Sequence, residues 1–245
     1  MIKEERYMEI PSYLVNEHFD DRYFDVVNAL NEAQQIHFIN NNLIERIKKS
    51  IDEKNHLIIG ETGFGAGRTV VALMEFIKNN NLSNVYIEYY SVELYPITPL
   101  RMENILSGFK NRVQGEIDAL IKAYESIDTQ VPGWHRVEIN QVFGTIELNL
   151  WIGEALEMVQ TLEKSCDVWF LDGHGPKKNP SIWRHELLML IGEKTKTGGT
   201  CSSFTVAGAV RRSLAEAGFT INKLPGCGGK NFVLHGIKNP ILDSI

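Results

Sequence analysis

The sequence predicts an α/β fold in which a mostly parallel sheet is covered by helices. Strand-like and helix-like segments alternate along the chain, and a glycine-rich turn joins one buried strand to the helix after it. With 245 residues and 43% hydrophobic side chains, the chain can bury one large core but not two generous ones.

The elements follow in order. His56–Gly60 is a short buried strand; the turn ETGFGAG comes next, and Arg68–Lys78 carries Val71, Leu73, Met74 and Ile77 at helical spacing. Asn84–Val92 is a second strand. Leu100–Tyr124 is mostly helical, with interruptions expected around Gly108 and Gly115. Trp134–Ile139 and Thr145–Trp151 alternate apolar and polar residues around Val142-Phe143-Gly144, as a hairpin does. Gly153–Leu162 reads as a helix and Asp167–Leu171 as a strand. Asn179–Ile191 reads as a helix with Pro180 in its first turn, Gly199–Phe204 as a strand and Val206–Ala217 as a helix. Phe219–Leu224 and Asn231–Ile237 pair across PGCGG as an antiparallel hairpin. Residues 1–50 show no clear pattern and are expected to form an N-terminal extension packed on a catalytic domain at 51–245.

Composition narrows the function classes. The stretch MIKEERYMEI is charged and no apolar run nears the roughly 18 residues of a spanning helix, so a soluble, cytoplasmic chain without membrane contact is expected. Cys166, Cys201 and Cys227 form neither a CxxC nor a disulfide framework, and the seven histidines are dispersed, so no metal site is expected. The net charge is −6, yet residues 1–172 hold 15 Lys+Arg against 27 Asp+Glu while 173–245 hold 10 against 4. A basic C-terminal third on an acidic body would suit a polyanion on one face.

The glycine turn points to a cofactor. In GETGFGAGR the glycines Gly63, Gly65 and Gly67 are spaced GxGxG, and Arg68 stands where the third glycine of a dinucleotide GxGxxG would be. A dehydrogenase is therefore disfavoured. An acid, Glu61, ends the strand before the turn, and this arrangement resembles the S-adenosylmethionine loop of Rossmann-like methyltransferases. Such a cofactor carries a sulfonium and an amino-acid head instead of phosphates, so nearby carboxylates help. Glu93 ends the second strand, where an acid accepts the ribose hydroxyls, and Glu154 follows the strand ending at Trp151, where this fold reads the adenine amine. With them, Gly63, Phe64, Gly65, Gly67, Glu61 and Asp172 make up the expected cofactor set.

The stretch DVWFLDGHGPKKNPSIW, residues 167–183, then resembles the FLDGFxPxKNPxxW signature of the MnmC-like tRNA 5-methylaminomethyl-uridine methyltransferase family, as found with and without a FAD-dependent half. Support comes from ETGFGAG, PGWHR (Pro132–Arg136), TIELNLWIGEA (Thr145–Ala155) and SFTVAGAVRRSLAEAGF (Ser203–Phe219); the resemblance runs from about Tyr23 to Gly236. It implies a Rossmann-like methyltransferase fold with a mostly parallel seven-stranded sheet and a C-terminal antiparallel hairpin. It further implies S-adenosyl-L-methionine as cofactor, tRNA as partner, and a separate FAD-dependent enzyme supplying the substrate. The chain departs from the pattern at His174-Gly175 in place of Phe-Ala, at GCGGKNFVL (Gly226–Leu234), which keeps Lys230, and at ALNEAQQIHF (Ala29–Phe38), which keeps Glu32.

On that resemblance the reaction is methyl transfer to a primary amine. Asp172, at the tip of a buried strand, is the expected catalytic residue. With an ordinary carboxylate pKa near 4 it is a poor base and a better holder of the amine. Lys177, Lys178 and Asn179 on the following loop, Arg211 and Arg212 on the next helix, and Lys230 are the expected substrate contacts. Trp183 is expected either to stack on a base or, with Leu187 and Leu188, to join the core. The competing readings are a methyltransferase of the same fold acting on a small molecule or protein, and a non-catalytic module.

Overall fold

The structure is a computed structural model, and it describes residues 11–24 and 28–240. The charged stretch 1–10 lies outside the described residues. A small antiparallel ribbon of β1 (Val15–Asn16) and β2 (Asp21–Arg22) precedes the main sheet. The main sheet comprises β3 (Leu57–Glu61), β4 (Val85–Glu93), β5 (Gly133–Gln141), β6 (Gly144–Ile152), β7 (Cys166–Leu171), β8 (Thr195–Ser203), β9 (Phe219–Pro225) and β10 (Phe232–Lys238). Their order is β5-β6-β4-β3-β7-β8-β10-β9. The five central strands are parallel and the hairpin strands at both edges antiparallel.

Burial explains this order. In β7 every residue except Asp167 is buried, which suits a parallel strand covered on both faces. In β5 exposure alternates along most of the strand, as at an edge with one face toward solvent. The sheet has eight strands where the resemblance implied seven, and β5, lying outside β6, is the additional one.

Helices cover both faces. On one side lie α1 (Ala29–Ala33), α2 (Leu43–Asp52), α3 (Arg68–Asn79), α4 (Pro99–Leu106) and α5 (Lys110–Tyr124); on the other lie α6 (Ala155–Thr161), α7 (His185–Glu193) and α8 (Gly208–Glu216). Residues that showed no clear pattern in the sequence share this core: Leu14, Phe24, Leu30, Phe38, Leu43 and Ile47 pack in one cluster with Ile59 and Phe170 of the sheet. A π-helical turn, Gln34–Ile39, links α1 to α2 and buries the consecutive residues Ile36, His37 and Phe38. Three buried residues in a row mask the helical period.

Three predicted boundaries change. The helix expected over Asn179–Ile191 is split, because Arg184 is extended at ψ 149 between a 3-10 turn, Pro180–Trp183, and α7. The Trp183 indole donates to the His174 carbonyl at 2.8 Å, which ties the turn to its own loop instead of to the helix. The long helical stretch breaks near Gly108 as expected, but its second irregularity is at Val113, φ −139, and Gly115 remains helical. Strand β8 begins at Thr195, four residues before the expected Gly199; a bulge opposite Cys166–Val168 disguises its start.

The C-terminal ends of β3, β4, β6 and β7 point the same way. Strand order reverses between β3 and β7, since the chain adds β4 and β6 on one side and β8 on the other. A crevice at such a point is where open α/β sheets bind ligands.

Candidate active site

That crevice is lined by the loop after β3, by Glu93 at the end of β4, by Gly153 and Glu154 after β6, and by Asp172 after β7. It is open to solvent on one side, and its space, the mouth included, is about 760 Å³. The glycine loop is tightly fixed. The Phe64 amide donates to the Val92 carbonyl at 2.9 Å, and the Gly65 amide donates to Glu93 Oε2 at 2.9 Å. A Cβ on Gly63 would lie 2.9 Å from the Asp172 carbonyl oxygen, so only glycine lets the two loops meet. Gly65 takes φ +56, a value that favours glycine.

The acids divide by role. Glu93 accepts from Gly65 and, through Oε1, from the Tyr95 amide at 2.8 Å; each oxygen keeps a further lone pair for a hydroxyl. Burial pushes its pKa up. Glu154 lies at the start of α6, 3.5 Å from the Arg184 guanidinium, and faces the cavity. Glu61 does not. It is buried beneath the loop, where Oε2 accepts from the Ser91 hydroxyl at 2.7 Å and burial pushes its pKa up to about 7. Glu61 therefore braces the floor rather than touching a ligand. Gly67 also stands apart: it starts α3 in a left-handed conformation, φ +72, and a Cβ there would lie 2.5 Å from Leu120.

Asp172 joins this crevice to a second, open one, which it lines together with Asp21, Glu32, His37, Arg68, His174 and Lys230. Arg68 Nη2 forms an ion pair with Asp172 Oδ2, and both side chains are largely buried. The Gly173 amide donates to Asp172 Oδ1 at 2.8 Å, and His37 Nε2 lies 3.6 Å from Oδ2. Burial alone would raise the Asp172 pKa; the Arg68 guanidinium, His37 and the Gly173 amide outweigh it and hold the carboxyl well below the usual range. It is ionised at neutral pH and is a poor base. Behind it, the Asn41 amide donates to the Ser202 hydroxyl at 2.7 Å, and Ser202 lies 2.9 Å from His37 Nδ1. Ser202 and Asn41 thus hold the His37 ring with Nε2 toward Asp172.

The expected substrate contacts fall in different places. Asn179 is buried in the cofactor-side crevice, its Oδ1 accepting from Ser181 at 2.6 Å. Lys178 is tied to Asp20 at 2.9 Å and to the Asp20 carbonyl at 2.7 Å. Lys230 pairs with Glu32 across the second cavity. Arg211 Nε donates to the Val206 carbonyl at 3.1 Å. Lys177 and Arg212 are exposed, with no ion pair among the described residues. Trp183 is buried with an edge of its ring against Phe204, so the core reading holds and stacking on a base does not.

Sequence reading missed Asn16, Phe19, Tyr23 and Phe24, which roof the cofactor-side crevice, and His37, Arg68 and Asp21 as partners of the loop. His174 Nδ1 sits 3.2 Å from Asp21 Oδ2, with its ring 4.7 Å from Phe19. The one available signal was Arg68 itself, a long cation directly after the glycine turn.

The cofactor-side crevice suits an S-adenosylmethionine-like group. Its wall offers carboxylates to hydroxyls and cations, and its glycine loop allows a close approach without the third glycine that a pyrophosphate would need. A family model described as S-adenosyl-L-methionine-dependent methyltransferase matches residues 115–239. Among curated relatives, the tRNA 5-methylaminomethyl-2-thiouridine biosynthesis bifunctional protein MnmC of Marinomonas sp. (strain MWYL1) is 36% identical over 221 residues, covering 90% of this chain and 32% of that protein. The MnmC of Pseudomonas fluorescens (strain Pf0-1) is 34% identical over 218 residues, covering 89% and 32%. The chain thus spans about a third of the length of these relatives. The crystal structure of MnmC2 from Aquifex aeolicus superimposes with a TM-score of 0.67 at 21% identity, covering 94% of this chain and 68% of that one, a likeness of fold.

Proposed function

The chain belongs to the S-adenosyl-L-methionine-dependent methyltransferase family, and from that premise we propose that it methylates the primary amine of 5-aminomethyl-uridine at the tRNA wobble position. The observation that carries this reading is the meeting of two cavities at Asp172, one suited to the cofactor and one open to an acceptor. The relatives named for 5-methylaminomethyl-2-thiouridine biosynthesis supply the substrate class.

When bound, the cofactor supplies an electrophilic methyl group on a sulfonium. Glu93 would hold its ribose, Glu154 its adenine, and Gly63, Phe64 and Gly65 its amino-acid end. The acceptor nitrogen must be uncharged, since an ammonium has no lone pair; for an amine of pKa about 10, the free base at pH 7 costs roughly 4 kcal/mol. Asp172, fully ionised, accepts a hydrogen bond from the amine and turns its lone pair toward the neighbouring crevice. Such alignment can lower a barrier by roughly 7–11 kcal/mol. The extra proton of the methylated product leaves to solvent through the second cavity. Of the expected contacts, Lys177 and Arg212, exposed and without an ion pair among the described residues, would meet tRNA phosphate, and a separate FAD-dependent enzyme would supply the aminomethyl substrate.

Incubation with labelled cofactor and tRNA from a strain lacking this step tests the reading: label should appear in 5-methylaminomethyl-uridine, and its absence from tRNA would refute it. The pairing of Lys178 with Asp20 and Lys230 with Glu32 favours a second reading, a smaller acceptor that needs few phosphate contacts. Retention on bulk tRNA with a steep salt dependence would exclude that alternative.

A further inference from the structure

We propose that Arg68 is a positioning residue that keeps the acceptor amine uncharged by neutralising Asp172. This inference rests on the amine acceptor proposed above. Arg68 lines both cavities; its Nη2 contacts Asp172 Oδ2 while Nη1 lies 3.4 Å from the Ala29 carbonyl and its guanidinium 6.0 Å from the Phe24 ring. The cation is thus held in place from three sides.

A solitary buried carboxylate is a poor neighbour for this reaction. An opposite charge at a few ångströms favours the charged form of a titrating group, so an unpaired Asp172 would bind the ammonium and raise its pKa. The substrate would then be held in the form that cannot react. With Arg68 bound, the pair carries no net charge, while Asp172 still presents lone pairs to an N–H donor.

The other charges around the second cavity leave this balance to Arg68. Lys230 pairs with Glu32, and His174 with Asp21, whose Oδ1 also accepts from the Arg22 amide at 3.0 Å; the Arg22 side chain lies on the same wall. The Tyr23 hydroxyl, its pKa raised by burial and by Glu93, is uncharged at neutral pH, and buried Glu61 titrates only at about 7. His37 faces Asp172 at 3.6 Å, farther off than the Arg68 guanidinium, and its Nδ1 lies 2.9 Å from the Ser202 hydroxyl oxygen. Arg68 is a permanent cation in direct contact with the carboxylate.

The test is the pH profile of single-turnover methyl transfer to tRNA bearing 5-aminomethyl-uridine, with cofactor affinity measured alongside. In Arg68→Met the acid limb should move up by about one pH unit, giving an approximately tenfold slower reaction at neutral pH that recovers as pH rises. Arg68→Lys should keep the wild-type limb. Arg68→Met combined with Asp172→Asn removes the uncompensated buried charge and should bring the limb back down, though with a lower maximum. Curves for Arg68→Met that are parallel to wild type at every pH, whether slower or equal, would overturn the inference, as would a double variant whose limb stays high. If the wild type itself transfers no label to this tRNA, the proposed function fails and this role fails with it; transfer by wild type with unshifted variants refutes the role alone.

Discussion

The cavity under the glycine loop takes its polar groups from strand tips and the turns beside them, whereas the cavity beyond Asp172 is walled by ion pairs between residues far apart in the chain. Arg68 and Asp172 are 104 residues apart, His174 and Asp21 153, and Lys230 and Glu32 198. Acids of the first wall retain lone pairs for a ligand; the charges of the second are largely matched to each other. A site for an invariant cofactor can be encoded as a local motif. A site for an acceptor is assembled by the fold, so it can change while the motif stays intact.

The strongest way to break this division is at its shared member. Asp172→Ala should slow methyl transfer by about 10²-fold or more, through lost alignment, yet leave cofactor affinity within a few fold. Loss of cofactor binding would instead make Asp172 a cofactor contact. Gly65→Arg attacks the other side: φ +56 strains any residue with a side chain, a Cβ there already touches the Tyr23 ring at 3.5 Å, and calorimetry should show cofactor affinity reduced about 100-fold. The acceptor cavity should keep its ion pairs in this variant.

Beneath the loop, Glu61 gives a stability test. Its folded pKa is about 7 against an ordinary 4.5, so the protonated form is favoured in the folded state. Its stabilising contribution is complete below pH 4.5 and is lost as pH rises toward 7. Between those limits wild type should lose about 3 kcal/mol more than Glu61→Gln, measured by denaturant unfolding. Equal losses would mean that the carboxyl is solvated.

Smaller effects belong to the second wall. Lys230→Ala leaves Glu32 unpaired beside the acceptor and should lower kcat/KM for tRNA about tenfold without altering cofactor affinity. Lys177→Ala should lower the salt slope of tRNA retention by about one, and Lys178→Ala by less, because Lys178 is already engaged by Asp20. Equal slopes for the two would show that the Asp20 pair opens on binding.

The same contrast explains what the sequence discloses. All eight strands of the main sheet were legible, because parallel strands read as short apolar runs and the hairpins as alternation. So was the gathering of Gly63, Gly65, Glu93, Glu154 and Asp172 around one crevice, since they sit at or just after strand tips, where the topology makes position predictable. Residues 11–52 were not: the π-helical turn buries Ile36, His37 and Phe38 in succession, and no period describes that. Nor did the chain announce that Arg68 would reach Asp172, since a cation at the start of a helix looks the same in solvent as against a carboxylate. Lys178 and Lys230 were legible as cations and illegible as halves of ion pairs.

A crystal of the chain with S-adenosylhomocysteine tests the central claim most directly. The account predicts ribose hydroxyls on Glu93, the amino-acid end against Gly63 and Gly65, and the sulfur turned toward Asp172. A ligand bound across Arg68 and Lys230 in the second cavity, or none in the glycine crevice at saturating concentration, would contradict it.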